Sequence, residues 1–184
     1  MNLRKLIIPF FALVMLGGCQ NAQKMSADAT ITSAKTAFGP VKALSEKYVP
    51  EQTAAVESSI NAAQTAYNNG DYAGALSAAK ALPGQISDLA TAAKAKKDEL
   101  TQQWTSLSSS LPGLMTAVSS KASALAAQHK LPASANDQLS SAKSLWSTAT
   151  SAFSSGDLTT AVNDGTSVKS TLEGLASMLH VKTS

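Results

Sequence analysis

The chain has 184 residues, 44% of them hydrophobic and 5% aromatic, and a formal net charge of +3 at pH 7. This length suits one domain or two small ones. Arg4 is the only arginine, which argues against a nucleic acid partner, because arginine is the preferred side chain for recognising phosphates and base edges. Cys19 is the only cysteine, which excludes an internal disulfide and a cysteine-based metal site.

Residues 1–18 have the pattern of an export signal. Arg4 and Lys5 precede an apolar run that is too short to cross a bilayer, which takes about 20 residues. The segment ends in Leu16-Gly17-Gly18-Cys19, which closely resembles the lipobox of bacterial lipoproteins. The resemblance implies cleavage before Cys19 and acylation of that cysteine. An ordinary secretory signal and an uncleaved anchor remain the alternatives.

The same resemblance implies that the protein is located at a membrane. Two or more acyl chains hold a protein stably on a bilayer, so covalent lipid on Cys19 is the one cofactor we expect. Gln20 occupies the sorting position, where Asp would resemble an inner-membrane retention signal. We therefore expect the periplasmic face of the outer membrane. Loss of residues 1–18 would leave 13 basic against 12 acidic residues, so most of the positive charge belongs to the signal.

The rest of the chain predicts helices. Residues 19–25 read as a polar tether, and apolar residues at spacings of three and four predict a first helix over 26–48, kinked or split at Gly39-Pro40. A second helix begins at Pro50 and ends before Gly70.

The third predicted helix extends from residue 71 to about 110, because its apolar stripe passes Pro83-Gly84 without losing phase. Pro112-Gly113 is predicted to turn the chain into a fourth helix that ends near His129. Two further helices follow, on either side of Gly156. The fold class is therefore all-α, an elongated bundle of about six helices, with three-helix units at residues 26–110 and 111–184 joined by the long kinked helix.

An internal duplication supports the two units. Residues 63–76 match residues 149–162 at an offset of 86, in apolar positions, turn and cap (Ala63 aligns with Ala149). The repeated unit resembles the helical hairpin of tetratricopeptide repeats, which implies two packed antiparallel helices. With Val49-Pro50 before the first hairpin, the chain is also similar to small helical envelope lipoproteins of unknown function.

The titratable residues at the predicted turns are best explained by structural roles at helix ends. Asp71 and Asp157 follow Gly70 and Gly156 and stand where helix N-caps are wanted, although paired carboxylates can also catalyse glycoside hydrolysis. His129 and His180 lie near predicted helix ends, where a cation complements the helix dipole. Met178 beside His180 lacks a second pair of metal ligands. We predict no catalytic residue and no metal site.

Aromatic residues are the candidates for binding a partner. Trp104 and Trp146 lie on apolar stripes, so each is either a core residue or an anchor for another protein. The same two interpretations apply to Tyr48, Tyr67 and Tyr72.

These observations favour a non-enzymatic, membrane-anchored periplasmic lipoprotein that acts as a structural or protein-interaction module, with another envelope protein as partner. One alternative is a carrier of a small apolar ligand or a metal in a groove between helices. Another is a regulator of a cell-wall enzyme.

Overall fold

A computed structural model describes the backbone of residues 12–181 and the side chains of residues 21–181. Over this range the chain forms five α-helices and no β-strand, which confirms the predicted all-α class. The helices are α1 (Ala12–Tyr48), α2 (Pro50–Asn68), α3 (Tyr72–Ala127), α4 (Ala133–Ser154) and α5 (Leu158–Met178).

The predicted count of six helices is wrong for the described residues, because Pro112-Gly113 does not turn the chain. Helix α3 continues through both Pro83 and Pro112. A proline inside a helix removes a backbone hydrogen bond and costs about 3 kcal/mol. Leu111 and Val118, one on each side of the second proline, are both completely buried. Since each buried aliphatic side chain contributes roughly 1.5–3 kcal/mol, core packing offsets the cost of the proline.

Helix α1 also differs from its prediction. It already includes Ala12, the first residue whose backbone the structure describes, instead of beginning near Ser26, so the predicted tether at residues 19–25 is helical. Pro40 lies inside α1, and the helix is not split there. Residues 21–26 are all exposed, so no apolar stripe marks this part of the helix. Its alanine, glutamine, lysine and methionine residues are good helix formers, which is sufficient to continue a helix that packing has already fixed further along.

The chain divides into two compact units after Lys96, inside α3, whereas the sequence placed the division after residue 110. In the first unit α1, α2 and the first part of α3 share one hydrophobic core. Its buried members follow the predicted spacing of three and four residues. They are Ala27, Ile31, Ala34, Phe38, Val56, Ile60, Ala63, Ala75, Ala79, Leu82, Ile86 and Leu89.

The connection between α1 and α2 is a single residue, Val49. Beside it, Ser45 and Thr53 are buried polar residues. The Ser45 hydroxyl donates to the carbonyl oxygen of Lys42, and the Thr53 hydroxyl donates to that of Val49, both at 3.0 Å. Because both hydroxyls are satisfied within the helices, the tight connection carries no unpaired polar group into the core.

The second unit contains the remainder of α3 with α4 and α5. Gly165 of α5 is buried, and a Cβ added there would lie 3.0 Å from Cδ1 of Leu107 on α3. Its lack of a side chain therefore permits close contact between these helices. The buried hydrophobic residues of this unit are Leu100, Trp104, Leu107, Leu111, Val118, Ala122, Ala135, Leu139, Ala142, Ala149, Leu158, Ala161, Val162, Val168, Leu172, Leu175, Ala176 and Leu179.

Candidate functional site

Cys19, the predicted lipidation site, lies outside the residues whose side chains the structure describes, and so does the predicted signal at residues 1–18. Among the helices that could be searched, none combines the length and the apolar character needed to cross a membrane. Acylation of Cys19 therefore stays a prediction from the sequence.

The Gly-Asp turns that follow α2 and α4 have the same backbone geometry. Gly70 and Gly156 adopt positive φ values of 83° and 81°. After each glycine, the next N–H donates to the carbonyl oxygen five residues earlier, at 3.0 Å from Asp71 and 2.8 Å from Asp157. This is the Schellman arrangement, which satisfies the last carbonyls of a helix. Glycine suits it because a left-handed backbone places a Cβ under steric strain.

The aspartates of these turns cap the next helix. Oδ1 of Asp71 accepts a hydrogen bond from the N–H of Gly74 at 2.8 Å, and Oδ1 of Asp157 accepts one from the N–H of Thr160 at 3.1 Å. Each carboxylate thereby satisfies a backbone donor that has no partner within the helix. The turn residues singled out in the sequence therefore all form hydrogen bonds that end one helix or cap the next.

The two histidines occupy the position of the turn glycines at the ends of α3 and α5. His129 and His180 have φ values of 56° and 52°. The following residues, Lys130 and Val181, donate their N–H groups to carbonyls five residues earlier, at 2.9 and 2.8 Å. Across the described side chains, no group of three or more His, Cys, Asp or Glu could hold a metal ion.

Trp104 and Trp146 belong to one aromatic cluster in the second unit. Trp104 is buried, and its ring stacks on Trp146 with centroids 5.3 Å apart and on Phe153 with centroids 4.9 Å apart. Trp146 is half-buried and Phe153 is 39% exposed. Trp104 therefore serves the core, whereas Trp146 and Phe153 bring the cluster to the surface of α4.

The tyrosines divide in a similar way in the first unit. Tyr48 is buried at the end of α1. Tyr67 and Tyr72 are half-buried and meet edge to face, with ring centroids 5.3 Å apart and an interplanar angle of 62°. This is a favourable geometry for two aromatic rings and ties α2 to the start of α3.

A surface groove of about 410 Å³ lies between α3 and α4, beside the aromatic cluster. Its volume falls within the range of roughly 300–1,000 Å³ typical of small-molecule sites. Its walls combine an indole, a thioether, three hydroxyls and one ammonium group. The lining residues are Pro112, Met115, Thr116, Ser119, Ser120, Lys143 and Trp146.

Two smaller grooves lie in the first unit, with volumes of about 280 Å³ between α2 and α3 and 230 Å³ between α1 and α2. In the latter, Lys42 of α1 forms an ion pair with Glu57 of α2 and a second with Glu46 at 3.5 Å. The hydrogen bond and the charge of Glu57 raise the pKa of Lys42 above its ordinary value near 10.5. A further bond, 2.7 Å from Lys35 Nζ to Gln64 Oε1, joins the same two helices.

No family model, curated protein or solved structure matches the chain.

Sequence reasoning missed three residues of the groove region: Phe153 as a stacking partner, and Met115 and Lys143 as lining residues. Phe153 lies seven residues after Trp146, a helical spacing, but its contact with Trp104 joins two helices that are separate in sequence. For Lys143 a signal did exist, because the offset of 86 aligns it with Glu57 and thus marks a change of charge between the two halves.

Proposed function

We propose that the chain is a lipid-anchored envelope protein that acts by binding rather than by catalysis. The observation that carries this proposal is Leu16-Gly17-Gly18-Cys19 at the end of a short apolar run with a positive head. Acylated at Cys19, the mature protein would remain on the membrane. Gln20 after the cysteine supports the periplasmic face of the outer membrane.

The mature chain is built, on this proposal, from a duplicated helical hairpin. The matched Gly-Asp turns support the duplication, since Gly70 and Gly156 share their φ values and hydrogen-bond pattern. The capping bonds made by Asp71 and Asp157 support it too. These carboxylates are engaged in holding helix ends, which favours a binding role over glycoside hydrolysis.

The surface that we assign to a protein partner is the exposed part of the aromatic cluster on α4. Phe153 is a large apolar residue that is 39% exposed, and Trp146 is two helical turns away on the same helix. Aromatic side chains of this kind dominate the binding energy of many protein interfaces. Another envelope protein, including a cell-wall enzyme regulated by the contact, is the partner class that fits this address.

The anchor is tested by labelling cells with an alkyne palmitate analogue. Wild type and Gly18→Ala, which keeps a small residue before the cysteine, should be labelled and fractionate with the outer membrane. Cys19→Ser should lose the label and leave the membrane fraction. Gln20→Asp should shift the labelled protein towards the inner membrane in an enteric-type host. Membrane retention of the unlabelled Cys19→Ser protein would show that lipid is not the anchor.

The partner surface is tested by site-specific photo-crosslinking in cells. A photoreactive residue at position 153 should give a discrete crosslinked protein product. The matched probe replaces Ser58, an exposed residue of α2 in the first unit, and should give none. Identical products from both positions, or none from position 153, would remove the support for a partner at the aromatic cluster.

A second candidate function is the transport or storage of a small molecule. The specific observation in its favour is the groove of about 410 Å³ beside Trp146, which reaches the size range of ligand sites, whereas the two grooves described above in the first unit are smaller than that range. Titration of the purified protein with a neutral apolar alcohol, followed by tryptophan fluorescence, tests this function.

A further inference from the structure

We propose that the groove between α3 and α4 binds a small carboxylic acid with an apolar body. The carboxylate lies at Lys143, and the apolar body lies against Trp146 and Met115. This proposal names the ligand class for the carrier function above and rests on that function. Three observations carry it: a comparison between the two halves of the chain, the distribution of charge, and the shape and composition of the groove walls.

The first observation is a pair of substitutions between the two halves. At the offset of 86 residues, Lys143 and Trp146 of α4 stand where α2 has Glu57 and Ile60. Glu57 and Ile60 also line a groove, the one of about 230 Å³ between α1 and α2. There Glu57 forms an ion pair with Lys42 across the groove. The charge at this position of the first unit is therefore paired, and Lys35, the other cation of that groove, donates a hydrogen bond to Gln64.

The second observation is that the corresponding charge in the second unit is not neutralised. Lys143 has no ion pair or hydrogen bond within the described part of the chain. The sequence contains no acidic residue between Glu99 and Asp137, so the whole stretch of α3 that lines the groove is free of carboxylates. A ligand with a carboxylate supplies the missing counter-charge, whereas a cationic ligand would be repelled.

The third observation concerns the apolar walls. The indole of Trp146 is half-buried and is held in place by stacking on Trp104, which presents a rigid aromatic wall at little entropic cost. Met115 adds a flexible thioether that adapts to the shape of an apolar ligand. Ser119 and Ser120 place hydroxyl donors in the same groove as Lys143. One cation and a few hydroxyls beside apolar walls suit an amphipathic acid better than a purely apolar molecule.

The test compares three probes with the same ten-carbon chain: decanoate, 1-decanol and decyltrimethylammonium, each below its micelle concentration. Binding to the full-length protein in solution is followed by calorimetry and by tryptophan fluorescence. A partly exposed charge pair is worth up to about fivefold in affinity. We therefore expect decanoate to bind about fivefold more tightly than 1-decanol, and the cationic probe to bind more weakly than either.

Two variants locate the preference. Lys143→Met should weaken decanoate binding about fivefold and leave 1-decanol binding unchanged. Lys80→Met, which removes the same charge from an exposed site in the first unit, should change neither. Thr116→Glu places a carboxylate in the groove with Lys143. The new carboxylate should pair with Lys143, as Glu57 pairs with Lys42 in the first unit, and should thereby abolish the preference for decanoate. All three sites are exposed, so these changes leave the core undisturbed.

The outcomes separate this proposal from the function on which it rests. Equal affinities for decanoate and 1-decanol, or a preference that survives Lys143→Met, would overturn the assignment of a carboxylic acid while the carrier function stands. No binding of any of the three probes would overturn both. A decanoate preference lost in both Lys143→Met and Thr116→Glu supports the proposal.

Discussion

Replacement of His129 or His180 by glycine should make the protein more stable. Both histidines occupy the left-handed position of a Schellman motif, with φ values of 56° and 52°. At the equivalent positions after α2 and α4 the chain has Gly70 and Gly156. The same backbone arrangement thus occurs four times in the described residues, twice with the residue type that adopts it without strain and twice with one that does not.

The magnitude follows from two opposing terms. A residue with a Cβ pays about 1–2 kcal/mol to adopt the left-handed conformation. Glycine avoids this cost but loses roughly 0.5–1 kcal/mol more backbone entropy on folding. The net gain from either substitution is therefore about 0.5–1 kcal/mol. For a chain of this size that corresponds to an increase in Tm of roughly 1–4 °C.

Thermal and chemical unfolding followed by circular dichroism measure this gain. His129→Ala is the matched control, because alanine removes the imidazole but keeps the left-handed strain, so its stability should not rise as the glycine variant's does. The reverse change, Gly156→His, should lower stability by an amount similar to the gain. A loss of stability in His129→Gly would mean that contacts of the imidazole, including its effect on the helix dipole, outweigh backbone strain, and would refute this reasoning.

Three further changes test packing, capping and charge. Gly165→Ala should destabilise the second unit by about 1–3 kcal/mol in urea unfolding, because the new Cβ would lie 3.0 Å from a leucine of α3. Gly174→Ala places a Cβ with nothing within 4 Å and should stabilise the unit by roughly 0.5–1 kcal/mol. Equal effects of the two substitutions would contradict the close contact at Gly165. Asp157→Ala should cost about 0.5–2 kcal/mol in the same assay through loss of the N-cap, and an unchanged midpoint would show that the cap is dispensable. Because the pKa of Lys42 is raised in the folded state, its ion pair stabilises the fold below about pH 10.5, and this stabilisation is lost as the pH rises through the raised pKa. Glu57→Gln should therefore be less stable than wild type at neutral pH, and the difference in stability should disappear in strong base. A difference that does not change with pH would exclude the ion pair as its cause.

Much of the fold could be predicted because the apolar residues follow helical spacing. The α1 residues at that spacing from Ala27 to Phe38 are buried, and Val41 and Leu44, which continue the stripe, are half-buried. The leucine and valine residues of the α5 stripe from Leu158 to Leu179 are all buried. Helical periodicity is a strong signal when each helix packs one face against a single core. The Gly-Asp turns were equally predictable from the sequence, because Gly70 and Gly156 adopt a positive φ that few other residue types adopt without strain.

The error at Pro112 has a specific cause. Prolines are local signals, and the predicted turn followed from Pro112-Gly113 alone. The stripe of Leu107, Leu111, Val118 and Ala122 keeps its helical phase across this point, as the stripe at Pro83 does. All four side chains are buried, so tertiary packing determines the path of α3 and overrides the local preference. The phase of the stripe, not the proline, was the better guide at both sites.

The groove was less predictable, because it depends on which helices pack together and on side chains outside the stripes. Met115 and Lys143 lie on different helices, and nothing in their local sequence joins them. Likewise, the stacking of Trp104 on Phe153 requires the packed arrangement of α3 and α4. Periodicity reports which face of a helix is buried, but not which exposed residues of two helices share a cleft.

Comparison of the two halves of the proposed duplication distinguishes residues that the hairpin fold requires from residues that it does not require. Positions that form the turn, the cap and the buried stripe keep their character between the halves, as Ala75 and Ala161 illustrate, both being completely buried. Ile60, by contrast, is buried, while Trp146 at the matching position is half-buried. A larger, partly exposed aromatic is not what core packing selects. Together with the change from Glu57 to Lys143, this difference is the reason why we propose ligand binding for the second unit rather than the first.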